Sequence, residues 1–264
     1  MSALPRDMNA VVGAADIVLI TLDSLRYDVA QAAFAAGELP TLAAHLPPEG
    51  WERRHTPGTF TLAAHQAFFS GFLPTPLGPH PHPRPFACAF GGSVSIGAHT
   101  AVFDAPDIVH GLAGRGYHTA CIGGTGFFNP EGPLGRVLPS LFAEAHWEHA
   151  TSVFDDGSAA RSVALAVDIV RRTPGRLFLF VNFAAVHKPT IGFLPGATEE
   201  SPATQRAALA TVDAALGPLF EALRPGTFVV VCADHGTTHG EDGYWGHRLA
   251  HPLVWDVPYA EWAL

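Results

Sequence analysis

The chain has 264 residues, 48% of them hydrophobic and 15% charged, so it can bury a large core and is not a disordered polymer. Its formal net charge of -9 argues against a nucleic-acid polymer or an anionic membrane surface as a partner. Cys88, Cys121 and Cys232 lie far apart without a paired motif, which reads as buried free thiols in a reducing compartment.

The first residues lack a basic segment followed by an apolar core and a cleavage site, and no apolar run approaches the roughly 18 residues that span a bilayer. The expected location is cytoplasmic. Residues 17–23, IVLITLD, form a near-continuous apolar run ending in an acid, as in the first central strand of a mostly parallel sheet. Asp23 would emerge at that strand's end, as a helix cap or as a ligand. A helix follows over 29–36 and closes at Gly37 and Pro40.

Residues 56–74, TPGTFTLAAHQAFFSGFLP, predict a turn at Pro57-Gly58 and then a helix ended by Gly71. Thr61 stands at its start, where it can act as N-cap or place a hydroxyl at the positive end of a helix, a position that suits a nucleophile. Residues 75–86 are proline-rich and read as an extended loop despite His80 and His82. Residues 107–116 and 117–123 read as helix then strand, and Gly123-Gly124-Thr125-Gly126 as a tight turn without a dinucleotide or P-loop spacing. A helix over 158–172, a buried strand over 177–183 and a long helix over 203–223 continue the alternation.

Residues 227–251, TFVVVCADHGTTHGEDGYWGHRLAH, are the most informative stretch. A buried strand there breaks into Asp234-His235-Gly236, which is how an α/β protein presents metal ligands at the carboxyl edge of its sheet. Strand and helix alternate without repeats or a clear linker. The expectation is a single α/β domain over 1–264, a central mostly parallel sheet flanked by helices.

Three of these stretches together resemble the alkaline phosphatase superfamily, in its sulfatase and phosphodiesterase group. IVLITLDSLRYD is similar to the opening strand whose Asp ligates metal, which lands on Asp23. TLAAHQAFFSGFLP is similar to the nucleophile segment, with Thr61 on the nucleophile and His65 four residues later, as in the nucleotide pyrophosphatase/phosphodiesterase branch. VVVCADHGTTHGEDGYWGHR carries the Asp-His pair as Asp234-His235 and the later Gly-His element as His247, while VNFAAVHKP places a substrate-contacting histidine on His187.

The resemblance implies an alkaline-phosphatase-like fold and a metal-dependent hydrolase of phosphate esters working through a covalent phospho-threonine at Thr61. Asp23, Thr61, Asp234 and His235 would hold a divalent cation, Zn or Mn, with one ion favoured and His247 a candidate ligand of a second. His187 and His247 would clamp substrate oxygens or protonate the leaving oxygen, and His65 would contact phosphate or orient the hydroxyl. The implied partner is a small anionic ester. Threonine cannot become formylglycine, and Ala63 and His65 replace the usual Pro and Arg, so the pattern departs from true sulfatases. The acid expected for a second metal is missing around His187, where Asn182, Phe183 and Val186 stand. Transfer of a phosphate-linked group, sulfate or phosphonate ester cleavage, and a catalytically silent protein are the alternatives.

Overall fold

The structure, a computed structural model, describes residues 7–71 and 106–264. The proline-rich stretch with His80 and His82, and Cys88, lie outside the described residues. The strands are β1 (Ile17–Leu22), β2 (Glu52–His55), β3 (His118–Ile122), β4 (Glu144–His146), β5 (Leu177–Phe183), β6 (Phe228–Ala233), β7 (Thr238–His239), β8 (Trp245–Gly246) and β9 (Asp256–Ala263). The helices are α1 (Met8–Val11), α2 (Tyr27–Ala35), α3 (Pro40–Ala43), α4 (Thr61–Ser70), α5 (Ile108–Ala113), α6 (Ser158–Arg172), α7 (Pro202–Ala222) and α8 (Pro252–Trp255).

Seven strands form one mixed sheet in the order β2-β9-β6-β1-β5-β3-β4. β6, β1, β5, β3 and β4 run parallel to one another, and β9 pairs antiparallel with both β6 and β2. The expected α/β fold with a mostly parallel sheet is therefore present. β7 and β8 make a separate two-stranded ribbon beyond the end of β6. No helix among the described residues is long and apolar enough to cross a membrane.

Side chains alternate across a strand, so each parity packs against its own layer of helices. Val18, Ile20 and Leu22 of β1 join Leu179, Val181, Val229 and Val231 in a core covered by α2, α6 and α7. The opposite parity, Ile17, Phe178, Phe180 and Phe228, packs with Leu62 and Phe69 of α4 and with Val109 and Leu112 of α5. Following that second parity along each strand gives 17-19-21-23, 178-180-182 and 228-230-232-234. Asp23, Asn182 and Asp234 thus share the face that carries α4, at the carboxyl edge of three adjacent strands.

The predicted helix over 158–172 and strand over 177–183 coincide with α6 and β5, because both are long, strongly patterned and closed by Pro174-Gly175. β2 and β9 were not anticipated. The β2 sequence ERRH is charged and fully exposed, so hydrophobic patterning carries no signal for a strand that only borders the sheet. Cys121 and Cys232 are free and buried as expected, and burial pushes the Cys232 thiol up to about 12.

Candidate active site

α4 begins where the sequence placed it, but its N-cap is Phe60; Thr61 is the first helical residue and does not cap the helix with its side chain. That frees the hydroxyl. Gly58 allows the approach, since a Cβ there would lie 2.5 Å from the Ala64 backbone nitrogen. At the other end, Gly71 closes the helix in the left-handed conformation at φ 70°.

The Thr61 hydroxyl lies 3.4 Å from Asp23 Oδ2 and 3.4 Å from His235 Nε2. Asp23 sits just past β1, and Asp234-His235 just past β6, its parallel neighbour. One ligand atom from each of Asp23, Asp234 and His235 lies within 4.8 Å of the other two. All three side chains are fully buried.

Each group is oriented by a specific partner. Ser24, held at φ 64°, donates its backbone N–H to Asp234 Oδ1 at 3.0 Å and its hydroxyl to Asp23 Oδ1 at 3.0 Å. This strained residue joins the two carboxylates, and its position directly after the strand-end acid was the sequence signal for it. The Asp234 carboxylate also accepts its neighbour's N–H, from His235, at 2.9 Å. His235 Nδ1 donates to the Gly236 carbonyl at 2.8 Å, which leaves the Nε2 lone pair facing the carboxylates. Burial pushes His235 down to about 4, so the ring is neutral and ready to ligate.

These residues fit a divalent cation. Asp234 Oδ2 is buried without any hydrogen-bond partner, which is costly for a carboxylate oxygen unless something else satisfies it. Burial, then the charge of Asp23, raise the Asp234 carboxyl well above the usual range, as two carboxylates without an intervening positive charge require. A cation between them removes both penalties.

His247 stands outside this trio of ligand atoms, with its ring 4.5 Å from that of His235. Burial, followed by the neighbouring His235 and His187, pushes it down to about 2. His187 continues the row, 5.8 Å from His247, with Nδ1 donating to the Lys188 carbonyl at 2.6 Å and Nε2 left over. His65 differs from one of its expected roles. It is fully buried, Nδ1 donates to the Thr61 carbonyl at 2.7 Å, and Nε2 meets the Thr21 hydroxyl at 3.0 Å. With both nitrogens engaged and Phe69, Phe128 and Phe180 around the ring, a direct phosphate contact does not fit, whereas an orienting role does.

Two further residues went unassigned in the sequence. Gln205, buried on α7, donates to the carbonyls of Ser24 and Val186 at 2.9 and 3.1 Å, so it ties the Asp23 loop to the loop that carries His187. Arg26, also buried, pairs with Asp28 and with Glu241 at 2.5 Å and so anchors the turn between β7 and β8. Burial disfavours the Glu241 charge, but the hydrogen bond from Arg26 outweighs it and holds the carboxyl down at about 2.

Comparison with known proteins identifies the family and the fold. Residues 15–260 match the sulfatase family. Among solved structures, the C-terminal periplasmic domain of phosphoethanolamine transferase EptC from Campylobacter jejuni superposes with a TM-score of 0.58 at 13% identity, over 94% of this chain and 79% of that one. The corresponding EptC domain from Escherichia coli, in complex with Zn, gives 0.62 at 11% identity over 94% and 72%. The soluble domain of lipooligosaccharide phosphoethanolamine transferase A from Neisseria meningitidis gives 0.62 at 15% identity over 94% and 76%. No curated protein sequence matches. At these identities the structural likenesses speak to fold, and the family match covers nearly the whole chain: it belongs to the sulfatase family, within the alkaline phosphatase superfamily.

Proposed function

We propose that this protein is a metal-dependent enzyme that cleaves a small anionic phosphate ester through a covalent phospho-threonine at Thr61 and passes the phosphate-linked group to an acceptor. The observation that carries this reading is the Thr61 hydroxyl 3.4 Å from both Asp23 and His235, in a buried site whose Asp234 Oδ2 has no partner.

A divalent cation held by Asp23, Asp234 and His235 supplies positive charge against the substrate oxygens and makes the neighbouring hydroxyl more acidic. Zn or Mn suits this mixed carboxylate and imidazole set better than Mg or Ca. Thr61 Oγ1 attacks phosphorus, forming the P–O bond to threonine, and its proton passes to Asp23 Oδ2. The bond from phosphorus to the leaving oxygen breaks in the same displacement. His187, whose free Nε2 faces away from its own carbonyl contact, takes the role of donor to that oxygen as imidazolium. His247, neutral beside it, offers a hydrogen bond to the equatorial oxygens. In the second half an acceptor hydroxyl attacks phosphorus and gives its proton to His187, while the bond from phosphorus to Thr61 Oγ1 breaks and the proton held on Asp23 returns to that oxygen.

The fold shared with phosphoethanolamine transferases supports an acceptor other than water. Hydrolysis is the same path with water as acceptor. The test is to incubate the Zn- or Mn-loaded protein with bis(p-nitrophenyl) phosphate, quench in acid and look for the adduct on the Thr61 peptide. Thr61→Ala should lose turnover by about a thousandfold or more while keeping its metal. A fully active Thr61→Ala enzyme would overturn the nucleophile assignment, and the product ratio with added alcohol separates transfer from hydrolysis.

A further inference from the structure

Behind Thr61 the hydrogen bonds close into a ring. The Thr61 hydroxyl donates to Asp23 Oδ2 at 3.4 Å. Asn182 Nδ2 donates to the same oxygen at 3.1 Å and also to the Thr21 hydroxyl at 3.1 Å. Thr21 meets His65 Nε2 at 3.0 Å, and His65 Nδ1 returns to the Thr61 carbonyl at 2.7 Å. Thr21, Asp23, His65 and Asn182 are fully buried, and Thr61 is 2% exposed.

The hydrogens from His65 round to Asn182 are determined. A carbonyl can only accept, so His65 Nδ1 carries the proton and its neutral ring accepts at Nε2. Thr21 must then donate to His65, which leaves its oxygen lone pairs for Asn182. The Asn182 amide is oriented by its other end, where Oδ1 accepts the Gly124 N–H at 3.3 Å. Its two N–H groups are therefore spent on Thr21 and Asp23. The sheet supplies the alignment, because Thr21 and Asn182 are register partners on the parallel strands β1 and β5.

We propose that Thr21, Asn182 and His65 are positioning residues that fix both ends of Thr61, its carbonyl through His65 and its hydroxyl through Asp23. The hydroxyl is thereby held 3.4 Å from both Asp23 Oδ2 and His235 Nε2, the two groups that can accept its hydrogen. This inference rests on the reading of Thr61 as nucleophile. It adds that three residues without substrate contact set the geometry of attack.

Thr21→Val keeps the side-chain shape and removes the donor to His65, whereas Thr21→Ser keeps that donor. With bis(p-nitrophenyl) phosphate as probe, Thr21→Val should lower kcat by about tenfold or more with KM within about twofold, at unchanged metal stoichiometry. Thr21→Ser should recover most of kcat, a pattern that a merely structural role would not produce. Nitrogen-15 NMR of the wild-type protein should show His65 as the Nδ1–H tautomer with a slowly exchanging proton. A folded, metal-replete Thr21→Val enzyme with wild-type kcat would overturn the proposal, as would an Nε2–H tautomer at His65. The tautomer reading needs no turnover, so it stands or falls separately from the Thr61→Ala result that decides the nucleophile.

Discussion

At Asp234 a single side chain carries a stability cost that a bound cation would remove. One oxygen accepts two backbone N–H groups, and the other is buried with no partner beside the carboxylate of Asp23. Replacing it by Asn removes the like-charge repulsion and offers an N–H to Asp23. In the metal-free protein Asp234→Asn should therefore stabilise the fold, by about 1–3 kcal/mol. The same variant should lose the metal, measured as ion per chain after desalting. Retained stoichiometry would show that Asp234 is not a ligand. His65 makes the complementary point. Its spacing of four residues from Thr61 places both on one helical face, but which atoms it meets depends on β1 lying beneath that face.

The loop after β6 works as an element because it is pinned from several sides. The Gly236 N–H donates to the Val254 carbonyl at 2.7 Å, and the Arg248 N–H to the Thr59 carbonyl at 2.8 Å, just before Thr61. Thr56 donates its hydroxyl to the Asp234 carbonyl. Gly236 has no room for a side chain, since a Cβ would fall 2.0 Å from the Leu253 carbonyl oxygen. Backbone on backbone cannot give way cheaply, so Gly236→Ala should cost about 2–4 kcal/mol and weaken metal binding by displacing Asp234 and His235. Gly111→Ala in α5, where nothing lies within 4 Å, should be neutral or slightly stabilising in the same thermal melts. Equal losses in the two variants would refute the steric account.

At the scale of the whole molecule, the site holds three neutral histidines in one region, His65 and His235 fully buried and His247 partly so. Burial holds His65 and His235 at about 4 and His247 at about 2, against an ordinary value of 6.5. The unfolded chain takes up these protons below pH 6.5, while the folded chain refuses them. The stability they contribute is therefore complete above pH 6.5 and is lost as pH falls towards 4, and towards 2 for His247. For His65 the loss between pH 7.5 and 5 should be about 2 kcal/mol. Urea melts should then show the gap between wild type and His65→Gln narrowing by that amount on acidification, and a constant gap would contradict it.

Much of this protein is legible in its sequence. The apolar runs ending at Asp23, Phe183 and Ala233 marked three parallel strands, because a strand buried on both faces needs continuous hydrophobic residues whatever its neighbours are. The polar residues that follow two of them, Asp23 and Asp234-His235, marked the edge where ligands gather, and helical spacing set Thr61 and His65 on one face. Only the tertiary structure decided which of these groups meet. Strand order places β5 and β6 on either side of β1, and that adjacency brings Asp23, Asn182 and Asp234 together across more than 200 residues of chain. It also separated the deep trio from His187 and His247 and turned His65 inward. Patterning records whether a residue is buried, whereas the partner it is buried against is set by how the sheet is ordered.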